Sequence, residues 1–509
     1  MDLLSFAPLR SLARSARFVI VAAVVPAACS RDCPDATDVD GPAEVVDAGA
    51  TLVDGSADLE MQAPGVCVGV PNGVLCGVET ATCDESRCEG GECVPAISPH
   101  PDLELDTGFG TGGLATFVTP GTDYDSRSHV LATQPDGKLI LGGEYYRAAF
   151  GRTMSLVRLM PNGTVDTTFG EGGYVANLFA VPSTVYSLDI LDDGAILVGG
   201  QREGHVALLR LRPDGTLDGS FGDGGSTVNP DISVSYNARD HVAVEASGRI
   251  LAAGSGGGNF KIVAYDAGGV LDERYADGGV ATIDIDGGDD VAHTLALQGD
   301  GRLLVAGVAD DRFGIGRLHV DGTLDANFGV GGVVRTNVTN GPDPDILRDL
   351  VVLGDDRLLA IGCGNCGLNY TDDAEWALVR YMPDGALDAT FGMGGIEVTE
   401  IPDDLVVGSG SSDGAAAALA LPSGHVLVAG WTKFNDAAGR WLIARYRPDG
   451  AVDTCFDVDG FHVQESWGSV LSQGDVPEDL LMQTDGKVVI AGTIDPSAWG
   501  EMAVLRMLP

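Results

Sequence analysis

The chain has 509 residues with 30 basic and 74 acidic side chains, a formal charge of −44. Such a polyanion repels phosphate backbones and anionic headgroups, which excludes nucleic acid and electrostatic adsorption to membranes as partners. Its 44% apolar content excludes general disorder, and its 73 glycines point to short strands joined by tight turns.

Residues 1–28 read as a signal peptide. Arg10, Arg14 and Arg17 precede an apolar run from Phe18 to Ala28. That run is too short to cross the ~30 Å hydrocarbon layer as a helix. It ends in VPAACS, which resembles a bacterial lipobox in which Cys29 would be lipidated. Pro26 departs from the aliphatic residue of that pattern, and ordinary cleavage nearby is the other reading. Either one exports the chain. A lipidated form belongs to the outer membrane or cell surface, and any other form is secreted or periplasmic.

Residues 29–62 form an acidic, self-repelling spacer expected to be disordered. Residues 63–104 hold Cys67, Cys76, Cys83, Cys88 and Cys93, with Cys33 available as a sixth. In an exported chain this crowding reads as a disulfide-stapled module with a faint EGF-like look. Zinc is the alternative, but the cluster contains no histidine.

From residue 105 to 509 one pattern recurs. Its marker is LDxxFGxGG, seen as LDTGFGTGG, VDTTFGEGG, LDGSFGDGG, LDERYADGG, LDANFGVGG, LDATFGMGG and a decayed VDTCFDVDG. The marker aspartates are Asp106, Asp166, Asp218, Asp272, Asp325, Asp388 and Asp453, 52 to 65 residues apart. Periods of this size indicate a propeller or a solenoid. Each repeat carries four strand-like runs, here a, b, c and d, with triplets such as Pro135-Asp136-Gly137 turning between them. The region opens on a d run (GGLATFV) and closes on a c run (MAVLRMLP), so pairing the two completes the last set. The expected fold is all-β: a seven-bladed β-propeller of four-stranded blades closed by N- and C-terminal strands, preceded by the Cys-rich module.

The marker, the LALQPDGKILVAG-like b runs and the ALARYxPDG-like c runs together resemble the delta-60 repeat, a propeller-forming repeat of secreted bacterial proteins. The resemblance spans nearly the whole of 105–509 and implies a fold but no activity.

Arginine recurs in run c as Arg158, Arg210, Arg317, Arg380, Arg445 and Arg506, broken by Ala264 in the third repeat. A charge at a face-to-face packing position needs a partner, and the aspartate of a neighbouring marker is the candidate. The GxGG strings lack the helix and lysine of a phosphate loop and read as turns. Asp284, Asp286, Asp289 and Asp290, and Asp343 with Asp345, read as solvated acidic loops, with calcium as the other possibility. Cys363 and Cys366 in GCGNCG suit a local disulfide, and Cys455 a tucked-in thiol. The eight histidines fall at unrelated repeat positions, and no GxSxG or HExxH occurs, so no catalytic residue, metal ligand or cofactor is predicted.

The b–c loops are short in blades two to four and long in five, six, seven and one, which closure would make consecutive. Tyr145, Tyr146, Tyr370, Trp431, Phe434, Trp467 and Trp499 lie in or beside the long loops of this arc and are the candidate ligand-binding residues. The competing reading is that they pack their own loops; Trp376 and Trp441 read as core. The functional expectation is a non-enzymatic recognition scaffold for an extracellular protein or glycan, touching membrane only through its lipid anchor. The alternative is a secreted propeller hydrolase or lyase acting on a polymer or lactone.

Overall fold

The computed structural model describes residues 86–89 and 92–95, and residues 104–508 apart from 121–123, 177, 286, 367–373, 403–404, 406–410, 435–439, 458, 465–475 and 495–499. Every regular element among the described residues is a strand. In the N-terminal part, Ser86–Glu89 pairs with Glu92–Pro95 as a hairpin that sets Cys88 opposite Cys93. The other N-terminal cysteines, Cys29 included, lie outside the described residues.

The repeats form antiparallel sheets in strict a-b-c-d order. Repeat one is Tyr124–Thr133, Leu139–Arg147, Gly151–Leu159 and Tyr174–Ala176. Repeats four, five and six build sheets of the same order, starting from Asp290–Leu297, Ile346–Val352 and Ser411–Ala420. Repeat seven supplies Val476–Met482, Val488–Ile494 and Glu501–Met507, and its d position is taken by Leu114–Phe117 from the other end of the chain. Repeats two and three share one eight-stranded sheet, joined where Ser233 pairs with Ser255. Buried apolar clusters lie between consecutive sheets, as between repeats one and two (Val130, Ile140, Val185, Val198). Another unites repeat seven with repeat one (Val489, Val504, Leu131, Leu141). Trp376 and Trp441 are core residues, 0% and 1% exposed.

The strand-c arginines do pair with marker aspartates, and the partner is the marker that follows in the chain. Five of the strand-c arginines bind the marker aspartate eight residues on, as Arg158 binds Asp166 at 2.9 Å and Arg317 binds Asp325 at 2.9 Å. In the closing sheet Arg506 binds Asp106 at 2.8 Å, across the two chain ends. The guanidinium also lies over the marker phenylalanine, 4.5 Å from the Phe169 ring and 4.4 Å from Phe109. It then donates to the c–d turn of the following sheet, as Arg158 does to the Pro213 carbonyl at 2.5 Å. One side chain thus joins its own strand, its marker and its neighbour, through a charge-assisted hydrogen bond, a cation–π contact and a backbone bond. Repeat three lacks the strand-c arginine but not the wedge. Arg249, opening strand b, binds Asp272 at 3.1 Å, lies 5.4 Å from the Tyr275 ring and donates to the Val320 carbonyl at 2.8 Å.

Candidate functional site

The site is set by a recurring defect in strand a. Its pairing with strand b slips at Ser128/Val130, Val185/Ser187, Ala292/Thr294, Leu347/Asp349, Ala415/Ala417 and Pro477/Asp479. A β-bulge leaves one residue unpaired and re-aims its side chain. It also presses a strand-a carbonyl against strand b, and only glycine fits there. A Cβ on Gly362 would stand 1.9 Å from the Ile346 oxygen, and one on Gly143 would stand 1.8 Å from that of Arg127. The glycines that end run b are therefore the counterpart of the bulges.

The bulged residues are His129, Tyr186, His293, Arg348, Ala416 and Glu478, and they gather at one neck. His129, Ala416 and Glu478 line it with Arg239, Asp240, Asp349 and Asp479, and it encloses no water-sized void. His129 Nδ1 lies 3.6 Å from Glu478, and its Nε2 lies 3.9 Å from Glu144. Its ring sits 5.4 Å from that of Tyr186, which in turn meets His241 edge-on at 6.2 Å. Arg239 from repeat three reaches Glu478 of repeat seven as a close ion pair. Glu144 accepts from the Thr184 hydroxyl at 2.6 Å and pairs with Arg152 at 3.0 Å, and Arg152 also pairs with Asp125.

Burial works against the charge on both carboxylates, but their cationic partners prevail. Arg239 and His129 hold Glu478 at about 2, and His129, Thr184 and Arg152 hold Glu144 at about 2. Burial dominates elsewhere: it depresses His241 and His293 to about 4 and pushes Tyr186 up to about 12. His293 bonds through Nδ1 to the Leu347 carbonyl at 2.6 Å.

The sequence reading of the histidines needs correction. His129 and His293 occupy the same bulge position, five residues before Gln134 and Gln298, which open the a–b turn. Counting back from that turn would have aligned them, but the bulge carries a different residue in nearly every repeat and so leaves no motif.

The candidate aromatics separate. Tyr145 is 1% exposed and Tyr146 41% exposed, because successive strand residues face opposite ways. Tyr145 is thus a core residue, a correction to its place among the ligand-binding candidates. Trp431 is half-buried, with the Arg348 guanidinium 4.7 Å from its ring. Tyr370, Trp467, Trp499 and the side chain of Phe434 lie outside the described residues. Cys363 and Cys366 stand at disulfide distance, and Cys455 is half-buried in its marker. Two acidic-loop residues are not solvated: Asp290 accepts from the Ile285 amide at 2.8 Å, and Asp345, 0% exposed, accepts from the Thr339 hydroxyl at 2.8 Å. Burial with backbone and hydroxyl donors makes them loop anchors. No group of three or more metal-ligating side chains occurs among the described residues.

Among solved structures, the chain is similar to a catalytically inactive virginiamycin B lyase from Staphylococcus aureus with quinupristin. The two share 12% identity over 77% of this chain and 98% of that one, with a TM-score of 0.42. A protein of unknown function from Dyadobacter fermentans matches at 13% identity over 78% and 99%, with a TM-score of 0.39. A gluconolactonase from Xanthomonas campestris matches at 12% over 74% and 98%, with a TM-score of 0.32. No curated protein matches the sequence. The sequence model described as a domain of unknown function (DUF5122) β-propeller matches residues 134–169, 191–221, 298–328, 368–391 and 421–456. Those segments run from strand b through the marker in repeats one, two, four and six and cover strand c and the marker in repeat five, and with them the chain belongs to the DUF5122 β-propeller family, in keeping with its delta-60-like motifs.

Proposed function

We propose that the chain is an exported, lipid-anchored cell-envelope protein whose seven-bladed propeller is a non-enzymatic recognition scaffold for a protein or glycan. The seven-blade reading divides the eight-stranded sheet at Ser233–Ser255 and takes the pairing of Leu114–Phe117 with Glu501–Met507 as the closure. The observation that carries the functional reading is the filled neck. Its charged side chains bind one another and enclose no void, so a ligand meets the loop face above it. Tyr146 stands exposed there, beside Arg152. The test is a screen of envelope proteins and glycans against the mature chain and its Tyr146→Ala and Trp499→Ala variants. Retention of a ligand at full affinity by both variants would place recognition elsewhere.

A second reading, a hydrolase or lyase on a polymer or lactone, draws on one feature: His129 held between two carboxylates. Turnover of such a substrate that is lost in His129→Gln would favour it over the scaffold.

A further inference from the structure

Strand a of repeat three is only Val242–Val244. The chain before it takes a path that no other repeat follows among the described residues. The Asp240 amide donates to the Tyr186 carbonyl of repeat two at 3.1 Å, and the Arg239 amide to His293 of repeat four at 2.8 Å. Asn237 accepts from Arg348 of repeat five at 3.1 Å, and the Arg239 guanidinium binds Glu478 of repeat seven. A segment that bonds to four other repeats must run through the place where they converge. Ala238 and His241 are buried at 1% and 0% exposure, whereas Tyr236 beside them is 75% exposed.

We propose that residues 235–241 form an axial plug whose seating is switched by the protonation of His129. In the protonated state the imidazolium lies between Glu144 and Glu478 and holds in place the carboxylate that anchors Arg239. Loss of the proton leaves that carboxylate with Arg239 alone, and the plug loosens.

The groups facing His129 come from every neighbouring repeat. They are Glu144 and, behind it, Arg152, Asp125 and the more exposed Arg127 from repeat one, and Tyr186 from repeat two. Repeat three contributes Arg239 and Asp240, repeat five Asp349, and repeat seven Glu478 and Asp479. Carboxylates outnumber the arginines in this set, so the imidazolium adds to the positive charge that Arg239, Arg152 and Arg127 supply. Burial disfavours that charge, yet Glu144 and Glu478 outweigh it and raise His129 above its usual 6.5. The contribution is therefore complete below about pH 6.5 and is lost as pH climbs through the raised value.

Amide hydrogen exchange in the full mature chain tests this at pH 6 and pH 9, corrected for intrinsic rates. The Arg239 and Asp240 amides are compared with the Asp325 amide, which bonds to Arg317 far from the plug. In the wild type, protection of the plug amides should fall about tenfold relative to the reference at the higher pH. In His129→Gln it should be low at both. A wild-type ratio that ignores pH, or a variant that keeps the wild-type response, overturns the proposal. Should His129→Gln not fold, the His129 imidazole titrated by NMR decides instead. A midpoint above 6.5 that falls in Glu478→Gln supports the switch, and a midpoint below 6.5 or one unmoved by that substitution overturns it.

Discussion

The marker wedge recurs seven times along the chain and the strand-a bulge that builds the neck six times, yet they use repetition in opposite ways. At the wedge the residue is kept while its location changes once: where strand c of repeat three offers Ala264, Arg249 delivers the same guanidinium from strand b. At the neck the location is kept and the residue changes, from histidine to tyrosine, arginine, alanine and glutamate. The contrast separates what builds the ring from what individualises it. A position that must look the same in every repeat serves packing, and one that shares only its backbone geometry is open to function.

The largest expected effect is at the wedge. Arg317→Met leaves Asp325, 0% exposed, short of its main partner. Removing one member of a buried pair costs about 3–5 kcal/mol. Chemical denaturation should show a loss of that order, moderated by Arg302, 3.5 Å from the same carboxylate. Arg210→Met, where both side chains are 17% exposed, should lose clearly less. Equal losses would break the link between burial and wedge strength.

Next comes the coupling of bulge and glycine. Gly362→Ala sets a methyl group against the Ile346 carbonyl and should cost about 1–3 kcal/mol by overpacking, whereas Gly394→Ala, with nothing within 4 Å of a Cβ, should cost less despite its positive φ. Thermal melts of the two variants give the comparison.

Acid should act on the neck before the wedge. His241 and His293 are held near 4, so the folded state binds their protons more weakly than the unfolded chain. Stability is then lost as pH falls from about 6.5 towards 4, and His293→Gln should flatten that limb in denaturation at stepped pH. Asp166, lowered to about 2 despite the opposing effect of burial, mainly by bonds from Thr168 and Arg158, keeps its contribution until the pH falls below 4. The smallest effect belongs to Tyr146→Ala, which should change stability by no more than about 0.5 kcal/mol, so that any loss of binding can be read as loss of contact.

How much of this was legible follows from the same contrast. The strand order, the turns and the Arg158–Asp166 type of pair were readable because each recurs as a residue type. The transfer to Arg249 was not read, although Lys138, Arg302, Arg357, His425 and Lys487 share its position after the a–b turn, and each faces a marker aspartate. The neck escaped because a bulge is a property of backbone register, and its side chains are as unlike as Ala416 and Arg348. Tyr145 was misplaced because a loop-length argument cannot say which of two adjacent tyrosines faces inward.

The pairing of Leu114–Phe117 with Glu501–Met507 also sets an order of events. A chain emerging from its N-terminus carries Asp106 and Phe109 long before Arg506, 400 residues further on, can bind them. The other repeat sheets can form from neighbouring segments as they appear, but the closing sheet waits for Glu501–Met507. Until then, the apolar faces of repeats one and seven that meet in the finished molecule stay uncovered. Closing so distant a contact is slow compared with local pairing.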